Sequence, residues 1–246
     1  MTSWLVCPQK RSRPTLRLFC FAYAGGSAWI FRPWAKQLPI NIEIVAIELP
    51  GRGKRLAEPP LTNLSLLIET LGPQLLPYLD LPFAFFGHSL GALIAFELCR
   101  WLRQTVQLSP SHLYVSAARA PHLPIEPPLM HPLPTADFID RLKHYQGTPI
   151  SVLNNEELMS LVLPALRADF TLLETYQYRP ENPLSCSMTG LWGQQDNIVK
   201  RANVAAWQVH TSKFELESVA GDHFFMQQPL FASKFLTKMA DLAAYF

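Results

Sequence analysis

Residues 83–98 constrain the fold more than any other stretch of this chain. An apolar, aromatic run, Phe83-Ala84-Phe85-Phe86, leads into Gly87-His88-Ser89-Leu90-Gly91, and a helix-like run, Ala92-Leu93-Ile94-Ala95-Phe96-Glu97-Leu98, follows at once. Gly-x-Ser-x-Gly between a strand and a helix is the pattern of a nucleophile elbow, a sharp turn that lifts a serine hydroxyl off the backbone. Gly87 and Gly91 have no Cβ, so strand and helix can approach closely and a strained turn is tolerated. The helix N-terminus points at the Ser89 oxygen, a favourable place for developing negative charge. The bland alternative is a glycine-rich turn that merely opens a helix; the flanking strand and helix favour the nucleophile.

The rest of the chain repeats the alternation. Strands are expected at 16–21, 42–49, 112–117, 187–192 and 214–219, and helices near 31–38, 64–79, 199–209 and 230–245. Gly72 and Pro73 are expected to interrupt or kink the second of these helices. Short apolar strands alternating with helices imply a mostly parallel central sheet with helices on both faces, an α/β fold.

The segment from about 120 to 184 breaks the rhythm. It opens with Pro121, Pro124, Pro127, Pro128, Pro132 and Pro134, and helix-like pieces follow. Asp137 and Asn155 are candidate caps, and Pro164 is expected to divide the second piece into two helices. A helical insertion between two strands reads as a lid within a single domain spanning 1–246; an ordinary extra helical layer is the alternative.

Composition fits this picture. The chain is 49% hydrophobic and 16% charged, as a globular protein with a sizeable core should be, and its net charge of +2 gives no reason to expect nucleic acid or a membrane surface as partner. The four cysteines, Cys7, Cys20, Cys99 and Cys186, form no C-x-x-C pair, and Cys20 and Cys99 lie in apolar runs. No apolar run is long enough for a membrane helix, and residues 1–8 do not read as a signal peptide. A reduced, cytoplasmic protein is expected, with a monomer as the default state.

A serine hydroxyl is a poor nucleophile at neutral pH and needs a histidine base oriented by a carboxylate. In α/β-hydrolases the chain order is serine, acid, histidine. Among the seven histidines, His223 stands apart, in Val219-Ala220-Gly221-Asp222-His223-Phe224-Phe225, after the last strand and before the last helix. Asp196, in the segment directly after the strand at 187–192, is the preferred acid; Asp222 is its rival, although its side chain would diverge from that of its neighbour. A helix N-cap role for Asp196, heading the stretch that begins near Asn197, is compatible with the same position. Acyl transfer also needs oxyanion donors. One should be the backbone N–H of Leu90. The other should come from Phe21-Ala22-Tyr23-Ala24-Gly25-Gly26-Ser27, with Ala24 preferred and Tyr23 and Gly25 as near rivals. The loop lacks the G-x-x-x-x-G-K and G-x-G-x-x-G patterns of phosphate binding.

Taken together, several motifs resemble those of the type II thioesterases that accompany nonribosomal peptide and polyketide synthases. They are the first loop 21–27, Leu49-Pro50-Gly51-Arg52-Gly53, the elbow, Ala120-Pro121-His122, Leu163-Pro164-Ala165-Leu166-Arg167-Ala168-Asp169-Phe170 and Gly221-Asp222-His223-Phe224-Phe225. Two departures stand out: Ala22 and Tyr23 replace a usual proline and histidine, and Asp222 replaces a common glycine. The resemblance implies an α/β-hydrolase fold and hydrolysis of acyl or aminoacyl thioesters on the phosphopantetheine arm of a carrier protein. Ser89 would take the acyl group, His223 would act as base and then acid, and Asp196 would orient it. No metal or diffusible cofactor is implied. A carrier surface is typically acidic, so Arg119, Arg141 and Lys143 are candidates for a basic patch near the lid. Trp29, Phe31, Phe138 and Phe170 are either pocket lining or core. Gly51-Arg52-Gly53 reads as a turn, with a role near the entrance implied by the resemblance, and Arg167 and Asp169 read as lid-structure residues rather than catalysts. The rival readings are a general esterase or lipase, an acyltransferase with another acceptor than water, and a noncatalytic carrier-binding protein.

Overall fold

The computed structural model describes residues 3–145 and 147–246. Seven strands form one sheet: β1 (Leu5–Val6), β2 (Leu16–Phe21), β3 (Ile42–Ile47), β4 (Phe83–His88), β5 (His112–Ser116), β6 (Ser187–Gly193) and β7 (Phe214–Val219). Their order is β1-β3-β2-β4-β5-β6-β7. Only β1 is antiparallel to its neighbour; the other pairings are parallel. This is the α/β architecture expected from the alternating pattern. β1 was not anticipated, because two residues carry no readable period.

The inner strands β2, β3 and β4 are buried on both faces because they are mostly apolar, and the period of two sorts their side chains. Phe19, Phe21, Val45, Ile47, Phe83 and Phe85 face one core, shared with α2 (Leu64–Leu75) and α3 (Leu90–Val106). Leu16, Leu18, Cys20, Ile44, Ala84 and Phe86 face the other, shared with α1 (Arg32–Gln37) and α8 (Pro229–Ala243). All four cysteines are free, and Cys20 and Cys99 are core residues as expected. No helix among the described residues is long and apolar enough to cross a membrane.

Between β5 and β6 lie α4 (Thr135–Tyr145), α5 (Ile150–Leu153) and α6 (Glu156–Glu174), with a small core of their own around Phe138, Leu166 and Phe170. Asn155 caps α6 as expected, its side chain accepting the Leu158 N–H at 3.0 Å. Pro164, however, does not divide the helix: α6 runs unbroken through it. Pro164 and Ser160, whose carbonyl loses its partner, are both exposed, so water can take the place of the missing N–H. The same holds in α2, which runs through Gly72 and Pro73 with Pro73 and Glu69 on the solvent side. A short helix, α7 (Arg201–Ala205), continued by a 3-10 turn over Ala206–His210, connects β6 to β7.

Candidate active site

The C-terminal ends of β2, β4, β5, β6 and β7 gather the residues singled out in the sequence. Ser89 sits between β4 and α3 at φ 54°, ψ −117°, a conformation that costs an L-residue energy and persists only where its surroundings impose it. Two contacts impose it: Ser89 N–H donates to the Ser116 carbonyl at 2.8 Å, and the Ser89 carbonyl accepts from Ala92 N–H at 3.0 Å. The glycines are required as expected. A Cβ at Gly87 would lie 2.3 Å from the Gly91 carbonyl oxygen, and one at Gly91 would lie 2.2 Å from that of Phe21.

Asp196 and His223 meet although they come from different loops. His223 Nδ1 lies 2.9 Å from Asp196 Oδ2, and the Asp196 side chain is fully buried. A carboxylate oxygen can only accept here, so Nδ1 carries a proton, and it is the Nε2 of a neutral ring that offers a lone pair. The other carboxylate oxygen, Oδ1, accepts the N–H groups of Ile198 and Val199, both at 2.8 Å. These two N–H groups belong to a turn: no helix begins near Asn197, and α7 starts at Arg201 with Lys200 at its N-cap, so the helix-cap role weighed for Asp196 is not met. Its rival is directed elsewhere: Asp222 is exposed and accepts the N–H of Phe224 at 2.9 Å.

The two loops are locked together. Gln194 N–H donates to Val219 and Gln195 N–H to Gly221, at 2.8 and 2.9 Å. Gly193 permits this closeness, since a Cβ there would lie 2.5 Å from the Asp222 carbonyl oxygen. His88, one residue before Ser89, ties the same loop to the elbow: its Nε2 lies 2.8 Å from the His223 carbonyl and its Nδ1 2.9 Å from Ser116 Oγ. The carbonyl can only accept, so Nε2 donates and Nδ1 accepts from the serine hydroxyl. Complete burial, with His223 close by, pushes the His88 pKa well below the ordinary histidine value, which keeps this arrangement neutral. The sequence marked His88 only as part of the elbow and did not mark Ser116 at all. No spacing rule connects them, because their partnership exists only across neighbouring strands.

Around the elbow, Leu90 opens α3, where an N–H has no acceptor within the helix. The loop after β2 lies beside it, its Phe21 carbonyl against Gly91. Within that loop the N–H of Gly25 is committed to Asp169 Oδ2 at 2.7 Å and that of Gly26 to the Tyr23 carbonyl at 2.8 Å. Gly25 is thus removed as a donor candidate, leaving Ala24 and Tyr23. The Tyr23 hydroxyl accepts from Gln227 Nε2 at 2.7 Å, and its ring packs edge-on against His88 and Phe224.

The other sequence candidates are structural. His210 is buried against His122, ring nitrogens 2.8 Å apart; His112 bonds Thr189; His131 bonds Glu174. Phe31, Phe138 and Phe170 are core, while Trp29 is 42% exposed with Arg32 over its ring. Arg119 is held by the carbonyls of Leu123 and Pro124, and Lys143 lies beside Asp140 on α4, which also carries Arg141.

A family model described as "Thioesterase domain" matches residues 16–239. The chain belongs to the thioesterase family. Among curated relatives, the gramicidin S biosynthesis protein GrsT of Aneurinibacillus migulanus is 43% identical over 229 residues, covering 93% of this chain and 90% of that protein. The linear gramicidin dehydrogenase LgrE of Brevibacillus parabrevis is 45% identical over 227 residues, covering 91% and 86%. That name refers to a dehydrogenase; this thioesterase-family chain has no G-x-G-x-x-G segment, and its β4–α3 turn carries Ser89 instead. Among solved structures, the type II thioesterase BorB from the borrelidin biosynthetic cluster superposes with a TM-score of 0.88 at 34% identity, covering 98% of this chain and 97% of that one. BorB is a type II thioesterase, the group that the sequence motifs resemble, and the α/β-hydrolase fold which that resemblance implies is the one observed. The thioesterase is accordingly a hydrolase acting on thioester bonds.

Proposed function

We propose that this thioesterase removes acyl or aminoacyl groups from the phosphopantetheine arm of carrier proteins through a Ser89-His223-Asp196 triad. The observation that carries the reading is the 2.9 Å contact of His223 Nδ1 with a buried Asp196 carboxylate, on the same sheet edge as a strained serine at a helix N-terminus. Each part has a role in acyl transfer. His223 Nε2 takes the proton of Ser89 as its Oγ attacks the thioester carbon, and then protonates the leaving thiolate, which departs with the carrier. The serine ester that remains is attacked by water, with His223 again acting as base, and the free acid leaves. Asp196 holds the imidazole in the productive tautomer and stabilises its charged form. The N–H groups of Leu90 and Ala24 stabilise the oxyanion of both tetrahedral intermediates. The insertion formed by α4–α6 covers the site as a lid within a single domain. The chain acts as a monomer in the cytoplasm, clearing misloaded carriers or releasing products.

The test is acyl release from a panel of acyl-phosphopantetheinyl carrier proteins, followed by intact-protein mass spectrometry. Carriers should lose their acyl mass quickly with the wild-type protein and not with Ser89→Ala. Intact acyl carriers alongside good turnover of simple esters would make the protein a small-molecule esterase.

A further inference from the structure

Three buried charged side chains that take no part in this scheme converge on the loop carrying Ala24. Glu48, Arg52 and Asp169 are 0%, 7% and 1% exposed. Glu48 Oε1 accepts the N–H of Ala28 at 3.1 Å, Arg52 Nη1 donates to the Gly26 carbonyl at 3.2 Å, and Asp169 Oδ2 accepts the N–H of Gly25 at 2.7 Å. Arg52 and Asp169 also grip each other in a two-point pair, Nη1–Oδ2 and Nη2–Oδ1, both at 2.7 Å. Asp169 lies on α6, in the insertion, and Arg52 in the turn after β3.

A buried ion pair is a poor device for stability alone, because desolvation consumes most of its attraction and an apolar pair of equal volume packs as well. What a two-point guanidinium–carboxylate pair provides is fixed orientation. Here the pair fixes one backbone group on each of two consecutive residues, the N–H of Gly25 and the carbonyl of Gly26. One turn earlier on α6, Leu166 presses on the same place: a Cβ on Gly25, whose φ is +79°, would lie 2.4 Å from Leu166 Cδ2. Residues 166 and 169 share a helix face, so α6 holds the loop at two points.

We propose that Arg52 and Asp169 are positioning residues that keep the Ala24 N–H aimed with that of Leu90, so that the insertion helix α6 is part of the oxyanion-binding apparatus as well as a cover. This rests on the acyl-enzyme reading above. Oxyanion donors act only over a few tenths of an ångström, and loss of one costs about a hundredfold to a thousandfold in turnover. Misdirecting one by loosening its loop should cost roughly tenfold or more in kcat, with little change in substrate binding.

The experiment compares wild type, Asp169→Asn, Arg52→Lys and Ser89→Ala. Asp169→Asn keeps the size of the side chain but removes its charge and one acceptor; Arg52→Lys keeps the charge but removes the two-point grip. Hydrolysis of an acyl-pantetheine thioester gives kcat and KM. A boronic acid, whose tetrahedral adduct with serine places an oxygen in the hole, gives a Ki. Thermal unfolding confirms that each variant is folded at the assay temperature. The expected result is a fall of tenfold or more in kcat for Asp169→Asn, a KM within threefold, a boronate Ki weakened in step with kcat, and an intermediate value for Arg52→Lys. If Asp169→Asn unfolds, Arg52→Lys alone decides between these outcomes. A folded variant with wild-type kcat and boronate affinity, or with its loss confined to KM, would overturn the positioning role while an inactive Ser89→Ala left the triad standing. Turnover by Ser89→Ala would overturn the acyl-enzyme reading and this inference with it.

Discussion

Asp196 shows how one carboxylate can be held to a single orientation. One oxygen is anchored by two backbone N–H groups and the other faces His223. An Asp196→Asn side chain would keep its carbonyl oxygen on those two donors and turn its amide toward Nδ1. The histidine would then have to accept at Nδ1 and carry its proton on Nε2, where a base is needed. Turnover of acyl-pantetheine should fall by about a thousandfold to ten-thousandfold with the fold intact. Nitrogen-15 chemical shifts of His223 should report the reversed tautomer, and an unreversed tautomer would refute the account. At this scale the sequence was most readable for placement: Ser89, Asp196 and His223, each picked out just after a strand, lie at the C-terminal ends of the strands, with Asp196 against His223. It was least readable for Arg52 and Asp169, which seemed to be ordinary turn and helix residues. Their meaning lies in a contact between positions 117 residues apart.

Among the elements, backbone approach decides more than propensity. Gly72 lies inside α2, where alanine would ordinarily favour the helix by about 1 kcal/mol. A Cβ there would lie 2.7 Å from the Trp101 ring on α3. Gly72→Ala should therefore lower the unfolding temperature by forcing α2 and α3 apart, while leaving kcat unchanged; differential scanning calorimetry beside a kinetic assay separates the two. Gly193→Ala should behave differently. Its Cβ would meet the Asp222 carbonyl and push the His223 loop away from Asp196, so kcat should fall even in a preparation that remains folded at the assay temperature. The prolines teach the same lesson. Pro73 and Pro164 look like helix breaks when read as letters, yet both helices continue because each freed carbonyl lies on the solvent side. Which side a proline faces is a property of packing, and the sequence carried it only indirectly, through the apolar stripe opposite.

For the whole molecule, buried histidines set the response to acid. Burial, aided by nearby Lys238, lowers the pKa of His112 to about 4. Burial, with His122 and Arg100 nearby, lowers that of His210 to about 4 as well, and His88 lies well below its ordinary value. In the unfolded chain each titrates near about 6.5. As pH falls below that value the unfolded chain takes up protons that the folded chain refuses, so stability is lost progressively from about pH 6.5 down to about 4. The carboxyl of Glu48, raised by burial, opposes the trend in the lower part of this window because its folded form binds a proton more readily. Unfolding temperatures measured from pH 7.5 to 4.5 should decline, and His210→Gln should decline less steeply; a parallel decline in that variant would refute its share. The overall architecture was the most legible part of the sequence, since strand–helix alternation and the strand-to-helix elbow leave few topologies open. The two-residue β1 fell below any readable period.

The order of the three proposed catalytic side chains along the chain has a consequence in time. A polypeptide emerging from the ribosome completes β4, the elbow and α3 while β6, β7 and the loop bearing His223 are still unmade. On the proposed triad its serine is then an ordinary alcohol with no base beside it, and the Ser116 carbonyl that helps impose its strained turn arrives only with β5. If the triad carries the reaction as proposed, hydrolytic power waits for β7 to pair with β6 and for the loop after it to bring the imidazole to Asp196. On that reading, a half-made molecule cannot attack a thioester.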